Sequence, residues 1–86
     1  MSAWKRTAKP SWSRPCGEHR RRIGAFDLVV GHAGERDLFA EIEIRGDQRS
    51  VALGWVRVGL HYEAAVKRAK AKAEALARKA GLAVRS

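Results

Sequence analysis

The sequence has one cysteine, Cys16, so no disulfide framework can form within the chain and its stability must come from a hydrophobic core. It has one methionine, one tyrosine and two prolines among 86 residues. No apolar run of about 7–15 residues follows the basic N-terminus, and none approaches the roughly 20 of a membrane span, so a soluble, cytoplasmic protein without membrane attachment is expected. A Gly-rich phosphate loop and a nucleophile beside a base are both missing, which argues against an enzyme and against a bound cofactor. A chain of this length has room for one compact domain. Acids are scarce as well: nine Asp and Glu face eighteen Lys and Arg, for a net charge of +9. Such a charge attracts polyanions, which bears on partners and not on fold.

What is present divides into three zones. Residues 1–22 carry seven cations against one acid and lack apolar periodicity, and Pro10 and Pro15 fall among them; a flexible basic arm is expected. Residues 23–60 are slightly acidic and alternate apolar with polar. Phe26, Leu28 and Val30 mark a first strand over 25–30, closed by the turn Gly31-His32-Ala33-Gly34. Leu38, Ala40, Ile42 and Ile44 alternate with Phe39, Glu41, Glu43 and Arg45 in a second strand, followed by a turn at Gly46-Asp47. A third strand over 51–58 is apolar on both faces. Its register is ambiguous between Val51, Leu53, Trp55 and Ala52, Val56, Val58, with burial of Leu53 and Trp55 favoured.

In the third zone Tyr62, Ala65, Val66, Ala69, Ala73, Leu76, Ala77 and Ala80 recur at helical steps, and Gly81 is a natural stop. The stripe is mostly alanine, so the helix can approach a sheet closely, with Tyr62 and Leu76 supplying bulk. The expected fold is α+β: a three-stranded antiparallel sheet packed on one C-terminal helix over 23–86 (βββα), preceded by the arm of 1–22.

The stretches FDLVVGHAGERDLFAEIEIRGDQRSVALGW and EAAVKRAKAKAEALARKAG resemble the arm-type N-terminal DNA-binding domain of phage integrases, the tyrosine recombinases. Shared features are a glycine-containing first hairpin, Leu53-Gly54 late in strand three and an alanine-rich helix ending at Gly81. The plant ethylene-response-factor domain looks similar in strand order. The resemblance implies that the exposed sheet face enters the DNA major groove. Where the integrase pattern has arginines on that face, this chain has Glu41 and Glu43, beside Asp27. Lys67, Arg68 and Lys70 also resemble the last helix of the double-stranded RNA-binding domain, whose first helix has no counterpart here.

Nucleic acid is therefore the expected partner, with duplex DNA favoured over RNA. The candidate contacts are Trp4, Lys5, Arg6, Lys9, Trp12, Arg14, Arg20, Arg21 and Arg22 of the arm, Arg45, Arg49 and Arg57 of the sheet zone, and Lys67 and Lys70 of the helix. Cations neutralise phosphates, and indoles stack on unpaired bases. Tryptophans in a tail also call for a partner, or for docking onto the domain's own acidic sheet face. The alternative is an interaction module, in the manner of a phage inhibitor, that meets a nucleic-acid-handling protein through Asp27, Phe39, Glu41 and Glu43. Unpaired sheet edges leave a homodimer open. Cys16-x-x-His19 is one ligand pair where a structural zinc site needs two, so no metal is expected.

Overall fold

A computed structural model describes residues 4–34, 36–44, 50–82 and 84, with only the backbone described at 50–53. Among the described residues, five strands and one helix follow in chain order: β1 (Lys5–Ala8), β2 (Glu18–Ile23), β3 (Phe26–His32), β4 (Asp37–Ile44), β5 (Ser50–Arg57) and α1 (Tyr62–Lys79). The strands form one antiparallel meander in the order β1-β2-β3-β4-β5. The expected α+β class with a C-terminal helix on an antiparallel sheet is observed, but the sheet has five strands, not three.

The additional strands come from the segment read as an arm. Ile23 pairs with Phe26 across a two-residue turn in which Gly24 has φ 60, a left-handed value that suits a tight hairpin. At the other end of β2, Gly17 has φ 68, and a Cβ there would stand 2.4 Å from the carbonyl oxygen of Ala8. Two glycines thus allow β2 to enter and leave the sheet, and Arg6 pairs with His19 to add β1.

The helix-facing side of the sheet presents Leu28, Val30, Leu38, Ala40 and Ile42, all with no exposed surface. Against them lie Ala65, Ala69, Ala73 and Ala77, one per turn and equally inaccessible. Without side chains beyond Cβ on this row, the helix axis comes close to the strands. Gly54 of β5 records how close: a Cβ there would lie 2.6 Å from Cε of Lys72 and 3.2 Å from Cδ1 of Leu76.

That proximity sets the register of β5. Gly54 pairs with Ala40 on the helix side, so Trp55 pairs with Phe39 on the opposite side and is 54% exposed. The favoured burial of Trp55 is thus overturned, and Val56 and Val58 pack on the core instead. The side chain of Leu53 lies outside the described residues. Tyr62 is also displaced from its expected place in the core: it opens the helix, beyond the alanine row, and is 49% exposed. Leu76 packs on the core as expected.

Candidate nucleic-acid interface

The pairing of β1 with β2 distributes five of the seven cations of 1–22 over the two sides of the sheet, while Lys9 and Arg14 lie in the loop between the strands. Lys5 is opposite Arg20, and Arg6 is opposite His19. Because His19 pairs with Val30, a core residue, Arg6 and His19 belong to the helix side. Arg20 pairs with Val29 on the other side.

The side away from the helix carries the acids that the sequence places there, but β2 brings a cation into their midst. The Arg20 guanidinium lies 2.8 Å from Glu18, 3.5 Å from Asp27 and 3.4 Å from Glu43. Burial pushes the Glu18 carboxyl upward, yet hydrogen bonds from Arg20 and from the Thr7 hydroxyl at 2.7 Å outweigh it and hold the group below its ordinary range. The same hydrogen bond to Glu18 raises Arg20 above its usual value. Val29 shares this side and is 1% exposed, with Arg20 and Glu41 its register partners on the two neighbouring strands. Phe39 lies over Gly31, its ring carbon Cζ 3.0 Å from where a Cβ would be, and continues into the exposed Trp55. The surface is therefore a mixed one: a partly neutralised carboxylate cluster beside an aromatic pair.

On the helix side, Arg21 is directed inward. It is 7% exposed and bonded to Glu74 of α1 at 2.7 Å, so it ties β2 to the helix and is sequestered from any ligand. Trp4 packs against the hydrophobic core, and the Lys70 ammonium sits 5.7 Å from the centre of its ring, a cation–π distance. The tryptophan does dock onto its own domain, but on the helix side and not on the acidic face. Trp12, in the β1–β2 loop, is 91% exposed.

Arg6, Lys67 and Lys70, from opposite ends of the chain, line one cleft of about 550 Å³ together with Pro10, Pro15, Cys16, His19, Tyr62, Glu63 and Val66. Burial lowers the affinity of Lys70 for its proton. Burial likewise disfavours protonated His19, and the charges of Lys70 and Arg6 add to the effect. The His19 ring donates from Nε2 to the Cys16 carbonyl at 3.0 Å. His32 accepts the Cys16 amide proton at Nε2, 3.0 Å away, which leaves Nδ1 to donate to the Gly34 carbonyl at 2.9 Å. Both rings thus fix the turn at Cys16. Among the described residues no group of three His, Cys, Asp or Glu is placed to hold a metal ion. Burial pushes the Cys16 thiol upward, away from the reactive thiolate.

The other helix cations fall into place by their 3.6-residue spacing. Lys67, Arg68, Arg78 and Lys79 are exposed, while Lys70 and Lys72 flank the buried stripe on the β2 and β5 sides. Arg68 also donates to the carbonyl of Arg57 at 3.3 Å, next to that exposed strand-end arginine. Lys5, Lys9, Arg14 and Arg22 are exposed, and Arg45 and Arg49 lie outside the described residues. No helix among the described residues is long and apolar enough to cross a membrane. The cleft is not legible in the sequence, because Arg6 stands 61 and 64 residues before Lys67 and Lys70; the signal that reveals it is the Gly24 hairpin, which turns the arm back onto the sheet. No family model matches the chain, and neither a curated protein nor a solved structure matches it.

Proposed function

We propose that the protein binds nucleic acid, with duplex DNA as the preferred form, through the cationic side formed by β1, the β1–β2 loop and the outer face of α1. One observation carries this reading: Arg6 meets Lys67 and Lys70 at a shared cleft, so the positive charge of the N-terminal segment and that of the helix form one surface. The exposed Lys67, Arg68, Arg78 and Lys79 extend it along α1, which at 18 residues is roughly 27 Å long, long enough to follow several phosphates. The integrase-like use of the opposite sheet face is disfavoured, because Arg20 is already engaged there with three carboxylates.

Fluorescence anisotropy with a labelled duplex over a salt series tests the reading. Six phosphate contacts predict a loss of about a thousandfold in affinity between roughly 50 and 200 mM salt. Replacing Lys67, Arg68, Arg78 and Lys79 by Gln should weaken binding and flatten the salt slope, whereas Lys5→Gln with Arg22→Gln should change little. No binding at low salt refutes the proposal.

A second reading keeps one supporting observation. The aromatic pair of Phe39 and the 54% exposed Trp55, next to Glu41 in register, is a surface suited to a protein partner such as a nucleic-acid-handling machine. A partner protein that binds the unaltered chain and is lost with Trp55→Ser, while DNA binding persists, would establish it.

A further inference from the structure

The cleft between the β1–β2 loop and the first turns of α1 is lined by two kinds of side chain. Arg6, Lys67 and Lys70 bring positive charge, and Pro10, Pro15 and Tyr62 bring largely apolar rings, that of Tyr62 aromatic. Its volume of about 550 Å³ lies within the usual range for small-ligand sites. Among the described residues, Glu63 is the carboxylate in the lining, and Glu74, the acid whose charge reaches Lys70, is bonded to Arg21 at 2.7 Å. Besides burial, the charges of Lys70 and Arg6 act against a proton on His19, opposed by its hydrogen bond to the Cys16 carbonyl and by the Glu18 carboxylate. Three cations from two elements thus line one concave space, with the Lys70 ammonium positioned by the Trp4 ring, and such a space attracts an anion.

The anion's class follows from the walls. A phosphodiester within a strand carries one negative charge and must continue past the cleft at both ends. A phosphomonoester carries between about 1.5 and 2 negative charges at neutral pH and ends there, which suits three cations better. Tyr62 adds an aromatic ring on which a base can stack, with Pro10 and Pro15 as further apolar contacts. We propose that this cleft binds a nucleotide bearing a terminal phosphomonoester, with the phosphate held by Arg6, Lys67 and Lys70 and the base laid against Pro10, Pro15 and Tyr62. The proposal rests on the nucleic-acid reading above and names the feature that the site selects. The same chemistry is offered by a phosphorylated strand end and by a free nucleoside monophosphate.

The test compares two labelled duplexes with the same short single-stranded overhang, one ending in phosphate and the other in hydroxyl, with adenosine monophosphate and adenosine as competitors. The phosphorylated end should bind about tenfold tighter, the net gain expected of one added charge-assisted hydrogen bond. Adenosine monophosphate should abolish the preference, and adenosine should not. Arg6→Gln and Lys70→Gln should each reduce the ratio toward one, and Lys5→Gln, on the opposite side of the sheet, should leave it intact. Salt-sensitive binding with equal affinity for both ends, and no effect of adenosine monophosphate, overturns the cleft proposal while the nucleic-acid reading stands. Equal affinity for the two ends together with saturable adenosine monophosphate binding, lost in Arg6→Gln, supports the cleft with a free nucleotide as its ligand. Absence of binding to either duplex and to the monophosphate refutes both readings.

Discussion

Arg21 and Glu74 offer the most direct check on the architecture, because their bond joins a strand that sequence patterning misses to the helix that it finds. The guanidinium and carboxylate are 2.7 Å apart, with side-chain exposures of 8% and 21%. At an effective dielectric of about 20, charges 2.7 Å apart attract by about 6 kcal/mol, most of which the cost of desolvating both groups offsets. Removing one partner forfeits the attraction but keeps the other's desolvation cost, so Arg21→Met or Glu74→Gln should each cost about 3 kcal/mol. The double variant should cost less than the two singles together, with a coupling energy of about 2 kcal/mol. For a chain of 86 residues the whole stability is of the order of 4–13 kcal/mol, so each single change is a large fraction. Urea unfolding followed by far-ultraviolet circular dichroism reads the effect as a midpoint lowered by about 1–3 M. A coupling energy below about 0.5 kcal/mol would refute the reasoning, since it would mean that β2 is not held to the helix by this pair.

Leu76→Glu should remove cooperative unfolding from a thermal melt, because the carboxylate would be forced against β5 beside Gly54, at a cost of at least about 3 kcal/mol. Trp55→Ser should shift stability by less than about 1 kcal/mol in urea, whereas a core tryptophan would cost about 3–5 kcal/mol. The folded state disfavours protonated His19 relative to its ordinary value of 6.5, so the unfolded chain takes up the proton first as pH falls. Stability should therefore decline on acidification from above pH 6.5 and level off below the depressed folded value; urea midpoints across that range measure the slope, which His19→Gln should remove. Glu18, held below its ordinary 4.5, adds a separate loss as pH falls through and beneath that value, and Arg20→Gln should shrink it.

Much of the fold is legible in the chain. Alternation in 37–44 and helical recurrence in 62–80 are local patterns, and each reports directly which face meets the core. β2 is illegible by the same rule. It reads Glu18-His19-Arg20-Arg21-Arg22-Ile23, and the positions that should be apolar are filled by His19, which hydrogen-bonds to Cys16, and Arg21, which bonds to Glu74. Polar side chains satisfied by distant partners leave no hydrophobic period to detect. The cleft is hidden for the same reason, as Arg6 and Lys70 become neighbours only when β1 joins the sheet.

The excess of positive charge, the alanine stripe that lets a helix lie close to a sheet, and the acids on the strand face opposite it are all present in the sequence before it folds. Those are properties of composition and of spacing over a few residues. Packing of the folded chain sets the rest: Gly54 and not Trp55 faces the helix, Arg20 sits among the acids of the sheet, and Arg6 of the N-terminal segment meets the cations of α1. Each of these depends on how near two remote segments come, and no local pattern encodes that distance.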